Sequence, residues 1–260
     1  AGYKTAAFGK VSAGGTQTPE HITQAGWDYW LGFLGHVDCR DYYASEIWEN
    51  GELISVPANT PELLAGTNLN SGGTGVVGEG RGTFIEDLYA DTIIDFMTEN
   101  QNEPFFIYYA SAVPHGGNPG GMRVPSLGAY EDMDLTQREK VYCELITRHD
   151  ANVGRLVQAV KDLGIANNTI ILWTSDNGDE NSYYKRTETF DGNGPFRDMK
   201  RSLYEGGIRT PLIAYWSGVI EPNSTCDLIT TQCDIMPTVA DAGGSLVTDA
   251  MDGISIFPTL

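Results

Sequence analysis

Residues 169–180, TIILWTSDNGDE, contain the pattern on which the predicted fold of this chain depends. The first six of them are β-branched, apolar or aromatic and uncharged, which predicts a short buried strand over residues 169–174. Asp176 and Asn177 follow directly, on a turn that Gly178 closes. In open α/β sheets ligands bind just beyond the carboxyl ends of strands, so these two side chains are expected at a site. Ser-Asp-Asn-Gly is also typical of an ordinary turn, because such residues hydrogen-bond locally.

Two other uncharged runs are followed by polar side chains in the same way. PFFIYYA, residues 104–110, predicts a strand, and a Pro-His-Gly-Gly segment with His115 follows it. TAAF, residues 5–8, is followed by Gly9 and Lys10. Further along, a loop flanked by glycines contains Lys200. A single lysine is usually a solvated surface residue and a single histidine is more often structural, so the interpretation depends on the whole set.

Together these positions suit the binding of a tetrahedral anion. An aspartate beside an asparagine offers hard oxygen ligands, which suit Ca²⁺ or Mg²⁺ and suit Zn²⁺ poorly. Lysines and a metal ion neutralise anionic oxygens, and a histidine can pass a proton to a leaving group. The candidate residues are Lys10, His115, Asp176, Asn177 and Lys200.

Five segments of the chain resemble the type I sulfatases of the alkaline-phosphatase-like superfamily. In chain order they are GYKTAAFGK (residues 2–10), PFFIYYASAVPH (104–115), VGRLVQAVKDLGIANNTIILWTSDNG (153–178), GPFRDMKRSLYEGGIRTPLIAYWSGVI (194–220) and CDIMPTVADAGG (233–244). SDNG alone is a weak signal, but five matches in the family's order make coincidence improbable. The resemblance implies hydrolysis of a sulfate ester by a formylglycine hydrate, which is made from a cysteine or serine in a C/S-x-P/A-x-R motif.

The resemblance also implies a role for each candidate residue. Asp176 and Asn177 match metal ligands that hold Ca²⁺, with Mg²⁺ as the alternative. Lys200 matches the lysine that binds sulfate and faces the leaving oxygen. His115 matches a sulfate ligand that donates a proton. Lys10 matches the lysine of the Gly-Lys-Trp-His motif, which steadies the formylglycine hydrate and the sulfate.

The chain departs from the family pattern in two respects. None of its four cysteines lies in the formylglycine motif, and the early aspartate pair of the metal site is missing, so we expect both upstream of residue 1. Lys10-Val11-Ser12 stands where the family has Lys-Trp-His. A serine cannot act as a base near neutral pH, so either another group such as His21 or His36 replaces the histidine or turnover is slowed.

Two residue pairs have structural interpretations. Glu205 and Arg209 match the EGGxR stretch of the family, in which a buried ion pair that holds the Lys200 loop is expected. Cys226 and Cys233 are close enough in sequence to form a disulfide, but buried free thiols are equally compatible with the spacing.

Composition and charge exclude several classes of function. Hydrophobic residues make up 41% of the chain, which is typical of a globular protein, and no apolar run approaches the ~20 residues of a membrane span. The 35 acidic and 16 basic residues give a net charge of −19, which disfavours nucleic acid and anionic membranes as partners. The expected partner is a small-molecule or carbohydrate sulfate ester.

The chain begins without methionine and ends at ISIFPTL, so we expect an internal fragment without the nucleophile motif and the C-terminal subdomain. The family implies a secreted, periplasmic or lysosomal-type compartment.

The predicted fold class is α/β, a three-layer α/β/α arrangement with a mainly parallel central sheet. Residues 16–82 are rich in Gly, Asn and Thr and are interpreted as a loop-rich, substrate-shaping insertion, whereas residues 83–260 form the α/β core. The aromatic residues of this insertion either line a pocket or, as we prefer, pack it against the core; they are Trp27, Tyr29, Trp30 and Trp48. Residues 84–100 predict an amphipathic helix, and Thr136 with Glu139 predicts a capping box that opens a longer one.

Three functions compete for this sequence. The first is a sulfatase. The second is a phosphoester or phosphonate hydrolase of the same superfamily, because a tetrahedral anion site does not identify its central atom. The third is a non-catalytic relative that binds sulfated sugars, an interpretation that Ser12 motivates. Retention of both lysines, the histidine and the Asp-Asn pair favours an enzyme, and the GGxR stretch with the Lys200 loop favours sulfate.

Overall fold

The computed structural model describes residues 2–11, 22, 25–36, 38–65, 74–116, 122–180, 189–248 and 250–260. The described chain divides into two compact units, residues 2–163 and residues 164–260. Within the described residues, no helix combines the length and the apolar character that crossing a membrane requires.

The first unit contains a mixed sheet, a small parallel pair of strands and two long helices. Its elements are β1 (Lys4–Gly9), β2 (Tyr29–Gly32), β3 (Glu46–Glu49), β4 (Glu52–Ser55), α1 (Pro61–Ala65), β5 (Thr74–Val76), α2 (Ile85–Glu99), β6 (Phe105–Ala110), β7 (Met122–Val124) and α3 (Gln137–Asp162), with 3₁₀ turns at Asp38–Arg40 and Gly128–Tyr130. The five-stranded sheet has the order β4-β3-β2-β1-β6, and β5 pairs with β7.

Strand β1 lies inside this sheet and is parallel to both of its neighbours, β2 and β6. Ala6, Ala7 and Phe8 are completely buried. A parallel strand that is covered on both faces has no solvated face, which explains why the run carries no charge. Strands β3 and β4 extend the sheet in antiparallel fashion. The predicted α/β class is confirmed.

The segment 16–82, which we predicted to be a loop-rich insertion, contributes β2, β3 and β4 to the main sheet. Trp30 is buried with Ala7 and Ile22, and Trp27 and Trp48 pack against this group. These contacts agree with the preferred interpretation, in which the aromatic residues pack against the core. The role of the segment in shaping a substrate site stays a prediction.

Helices α2 and α3 match their predicted positions. Both halves of the predicted capping box are formed, since the Thr136 side chain accepts from the N–H of Glu139 and the Glu139 carboxylate accepts from the N–H of Thr136. The two helices are joined by a bidentate ion pair between Arg148 of α3 and Asp87 of α2. A forked guanidinium–carboxylate pair has a defined orientation, so it also sets how the helices face each other.

The second unit is built around a two-stranded sheet. Its elements are β8 (Ile171–Thr174), α4 (Glu205–Ile208), β9 (Leu212–Tyr215) and α5 (Ile235–Ala242), with 3₁₀ turns at Ala166–Asn168, Gln232–Asp234 and Phe257–Thr259. Strand β8 lies within the predicted strand at residues 169–174, and it pairs with β9 in antiparallel fashion. Cys226 and Cys233 are free and exposed, so neither a disulfide nor a buried thiol is found at these positions.

Candidate active site

Lys10 leaves strand β1 at a tightly packed glycine. Gly9 has a φ of +86°, and a side chain there would collide with the carbonyl oxygen of Ala110. The N–H of Lys10 donates to the same oxygen at 2.9 Å. Gly9 is also in register with Ala110, the last residue of β6. Because β1 and β6 are parallel, Lys10 and the segment that follows Ala110 both lie at the carboxyl ends of these strands, on the same side of the sheet.

His115 lies in that segment, on a short turn. Its N–H donates to the carbonyl oxygen of Ala112 at 2.8 Å. Its ring Nδ1 lies 2.7 Å from the carbonyl oxygen of Gly116. A carbonyl oxygen only accepts, so Nδ1 carries the proton in the neutral ring and Nε2 is the nitrogen with the lone pair. The side chain is half-buried.

Two buried side chains that the sequence did not mark as functional support this turn. The Glu86 carboxylate accepts from the N–H of Ala112 at 3.0 Å, and the Tyr42 hydroxyl lies 2.9 Å from the carbonyl oxygen of His115. In sequence, Glu86 is an ordinary acidic residue in the first turn of a helix, and Tyr42 belongs to a segment that we interpreted as a loop. Neither pattern carried a signal that would have found them.

Asp176 and Asn177 occupy the turn after β8, as predicted. Asp176 is exposed and Asn177 is half-buried, and the Asn177 side-chain NH₂ donates to Asp176 Oδ1. The N–H of Gly178 donates to the carbonyl oxygen of Gly207 at 3.0 Å, and a side chain at Gly178 would collide with the carbonyl oxygen of Gly206. The turn is therefore held against the Glu-Gly-Gly stretch of α4.

The loop that carries Lys200 is joined to the same turn. The N–H of Lys200 donates to the carbonyl oxygen of Asp179 at 2.9 Å, and Asn193 Oδ1 accepts from the N–H of Asp179 at 2.9 Å. Next to them, Arg201 forms an ion pair with Glu180 at 2.9 Å. Within the second unit, the structure thus brings Lys200 to the turn that contains Asp176 and Asn177.

The predicted ion pair of Glu205 and Arg209 is formed but is not buried. Its N···O distance is 3.2 Å, and the side chains are 57% and 60% exposed. An exposed pair four residues apart on a helical turn contributes little, because water competes for both charges. The loop is held by backbone contacts instead, including the bond from the N–H of Gly206 to the carbonyl oxygen of Arg197 at 2.9 Å.

The structure gives less information on the residues proposed to replace the family histidine, and it divides the five candidate site residues between the two units. Ser12 and His21 lie outside the described residues, and His36 is exposed. Lys10 and His115 belong to the first unit, whereas Asp176, Asn177 and Lys200 belong to the second.

The acidic–amide pair fits part of a site for a hard cation. Asp176 Oδ2 and Asn177 Oδ1 are oxygen donors on adjacent residues, and the contact between the two side chains occupies only Asp176 Oδ1 and the Asn177 nitrogen. In the described part of the chain, no group of three or more His, Cys, Asp or Glu side chains is arranged to hold a metal. The pair therefore fits two ligands of a larger set.

The fold is that of the alkaline-phosphatase-like α/β proteins. The crystal structure of Ps i-CgsB in complex with k-i-k-neocarrahexaose matches 99% of this chain and 55% of its own length, with a TM-score of 0.76 and 24% identity. The Sulfatase family profile matches residues 1–245. The chain belongs to the sulfatase family, as its sequence motifs predicted.

Curated relatives in this family include arylsulfatases. The chain is 35% identical over 179 residues to an arylsulfatase of Hemicentrotus pulcherrimus; this alignment covers 68% of this chain and 30% of the relative. It is 33% identical over 178 residues to human arylsulfatase A; this alignment covers 68% of this chain and 31% of the relative. The alignments thus span about a third of the length of these relatives.

Proposed function

We propose that this chain is part of a sulfatase that hydrolyses a sulfate ester of a small molecule or carbohydrate. The observation that carries the proposal is the attachment of the Lys200 loop to the Asp176-Asn177 turn, through the bond from Lys200 to Asp179. A loop that carries a lysine and is bonded to the turn of two hard oxygen ligands suits the binding of an anionic ester group. Membership of the sulfatase family supports sulfur as its central atom. The family is the basis for proposing a secreted, periplasmic or lysosomal-type compartment.

In this proposal Asp176 and Asn177 supply two ligands of a divalent cation, most simply Ca²⁺, with Mg²⁺ as the alternative. The bound cation supplies charge neutralisation at the ester group. The formylglycine nucleophile and the missing acidic ligands come from chain outside these 260 residues, since none of the four cysteines lies in the required motif. This division agrees with the limited share of the relatives that the chain spans.

The chain's own residues then have separate tasks. The Lys200 ammonium group binds sulfate and faces the leaving oxygen, where negative charge grows in the transition state. Lys10 binds the nucleophile and sulfate oxygens. His115 in its doubly protonated form binds sulfate and gives the Nε2 proton to the departing alcohol, while the bond from Nδ1–H to the Gly116 carbonyl keeps the other proton in place and leaves the lone pair on Nε2.

The test compares esters that differ only in their central atom, measured on the protein that contains this chain together with its nucleophile. We expect 4-nitrophenyl sulfate to be hydrolysed faster than 4-nitrophenyl phosphate and faster than a phenylphosphonate ester. A preference for phosphate or phosphonate would favour the second hydrolase class. Binding of sulfated sugars without turnover would favour a non-catalytic relative.

A pair of lysines on one strand supplies a matched control. Lys10 follows the carboxyl end of β1, whereas Lys4 is the first residue of the same strand and is also exposed. Lys10→Ala should lower kcat strongly, and Lys4→Ala should leave it near the wild-type value. Equal effects of the two substitutions would remove Lys10 from the proposed machinery.

A further inference from the structure

The carboxylate of Glu86 is buried beneath the segment that leads to His115. Glu86 lies in the first turn of α2 and is 1% exposed. Its Oε1 accepts from the N–H of Ala112 at 3.0 Å. Its Oε2 accepts from the Ser111 hydroxyl at 2.7 Å and from the Tyr109 hydroxyl. All three donors lie within residues 109–112, at the end of β6.

Tyr42 holds the same segment through its carbonyl groups. Its side chain is 1% exposed, and its hydroxyl lies 3.1 Å from the carbonyl oxygen of Ala112 and 2.9 Å from that of His115. The single hydroxyl proton is shared between these two acceptors. Glu86 and Tyr42 therefore hold the two ends of the Ala112 residue, one at its N–H and the other at its carbonyl group.

Burial of a carboxyl group is costly unless hydrogen bonds compensate for the lost hydration. Burial raises the pKa of Glu86, and the bonds from Tyr109, Ser111 and Ala112 oppose that rise. An apolar residue would avoid this cost if the position only joined α2 to the sheet. Two of the three bonds instead lie beyond the last strand residue, Ala110, on the way to His115.

The backbone that Glu86 and Tyr42 hold is connected directly to His115. The N–H of His115 donates a backbone hydrogen bond of 2.8 Å to the carbonyl oxygen of Ala112. The Tyr42 hydroxyl contacts both of these residues. A shift of the Ala112 peptide would consequently move the turn that carries the histidine.

We infer that Glu86 and Tyr42 are positioning residues for His115, because they hold the backbone of its turn from opposite sides. This inference rests on the proposed role of His115 as the proton donor to the leaving alcohol. Neither residue contacts the ester in this account. A misplacement of about 1 Å in a reacting group costs on the order of 10²-fold in rate, so a loosened turn has a measurable effect.

The test uses substrates whose leaving groups differ in their need for a proton. A sulfated sugar alcohol needs one, whereas 4-nitrophenyl sulfate does not. Tyr42→Phe and Glu86→Gln should each lower kcat for the sugar sulfate about tenfold, and should change kcat for the nitrophenyl ester less than about threefold. KM should change little for either substrate.

Two matched controls are present in the chain. Tyr43 is as buried as Tyr42 and also packs against Phe84, but in the described part of the chain its hydroxyl makes no hydrogen bond to residues 109–116, so Tyr43→Phe removes a neighbouring hydroxyl without releasing the turn. Glu144 is a buried glutamate of α3, and Glu144→Gln makes the same chemical change elsewhere. Both controls should leave the ratio of the two rates unchanged. If Glu86→Gln fails to fold, as judged by thermal unfolding, Tyr42→Phe decides the question.

A double-variant cycle with His115→Ala separates failure of this inference from failure of the proposed function. If Tyr42 acts through His115, Tyr42→Phe should cause no further loss once His115 is alanine. A His115→Ala variant with equal losses on both substrates would remove the proton-donor role, and this inference with it. A selective loss in His115→Ala, combined with wild-type behaviour of Tyr42→Phe, would overturn this inference alone.

Discussion

The N–H of Lys200 donates a hydrogen bond of 2.9 Å to the carbonyl oxygen of Asp179, two residues after Asn177. This bond joins a loop lysine to the turn of a candidate metal pair 24 residues earlier in the chain. Because the contact is made by the backbone, it survives substitution of the lysine side chain. Variants at Lys200 therefore report on the ammonium group more than on the shape of the loop.

Removal of the metal ligands should abolish the metal dependence of activity. In the protein with its complete ligand set, the double variant Asp176→Ala, Asn177→Ala removes two hard oxygen donors, so we expect turnover to fall and added Ca²⁺ to restore little of it. Steady-state rates after chelator treatment and Ca²⁺ addition measure this. Asp227→Ala, at an exposed carboxylate of the same unit, is the control. Full activity of the double variant in chelator-treated buffer would contradict the assignment.

Lys200→Ala should lose more rate than Ser12→Ala. A lysine that faces the leaving oxygen stabilises charge that grows in the transition state, and loss of such a donor costs about 10²–10³ in kcat. Ser12 offers only a neutral hydrogen bond, so its removal should cost tenfold or less, about 1.4 kcal/mol. The measurement is kcat with an aryl sulfate. Equal losses would require a new assignment of the motif around Lys10.

Residues 1–260 expressed alone should show no sulfatase activity and should bind Ca²⁺ weakly. The nucleophile motif is absent from these residues, so the covalent step itself is missing, and the metal pair has only part of its ligand set. An aryl sulfate assay and calorimetric titration with Ca²⁺ measure the two properties. Robust hydrolysis by this chain alone would refute our interpretation of where the nucleophile lies.

Two glycine-to-alanine substitutions should change stability in opposite directions. Gly9 has a φ of +86° and no room for a side chain, so Gly9→Ala should lower the free energy of unfolding by about 1–3 kcal/mol. Gly154 lies inside α3 with open space around it, so Gly154→Ala should raise that free energy by up to about 1 kcal/mol. Urea unfolding measures both. A loss at Gly154, or none at Gly9, would contradict the described backbone.

His149 should make the fold less stable as the pH falls. Burial lowers the pKa of its imidazole in the folded chain, and the nearby Asp150 carboxylate opposes that effect. The unfolded chain therefore takes up the proton first, so the free energy of unfolding declines as the pH drops below about 6.5. His149→Gln should flatten this decline in urea unfolding between pH 7.5 and 5.5. His36→Gln, at an exposed histidine, should keep the wild-type slope; a wild-type slope in His149→Gln would exclude this role.

Local sequence patterns were sufficient to predict the features that depend on neighbouring residues. The capping box of α3 was predictable because Thr136 and Glu139 are three residues apart and satisfy each other's backbone. The uncharged run within β1 was predictable because a strand buried on both faces excludes charge, and the run that became β6 was predictable from its aromatic and β-branched residues. The family and the α/β class followed from such local patterns and their order.

Contacts between residues that are far apart in the chain were not predictable from local patterns and are seen only in the folded protein. Strands β2, β3 and β4 joined the main sheet although their segment resembled a loop. Strand β1 supplied the hydrogen-bond partners of β2, and β3 and β4 then paired in turn onto β2. Glu205 and Arg209 formed their pair at the surface, since nothing in the motif specifies what covers it. Tyr42 lies 73 residues before His115, and Glu86 lies 26 residues before Ala112. Contacts of this kind leave no periodic pattern in the sequence, because they arise only when separate strands and helices pack together.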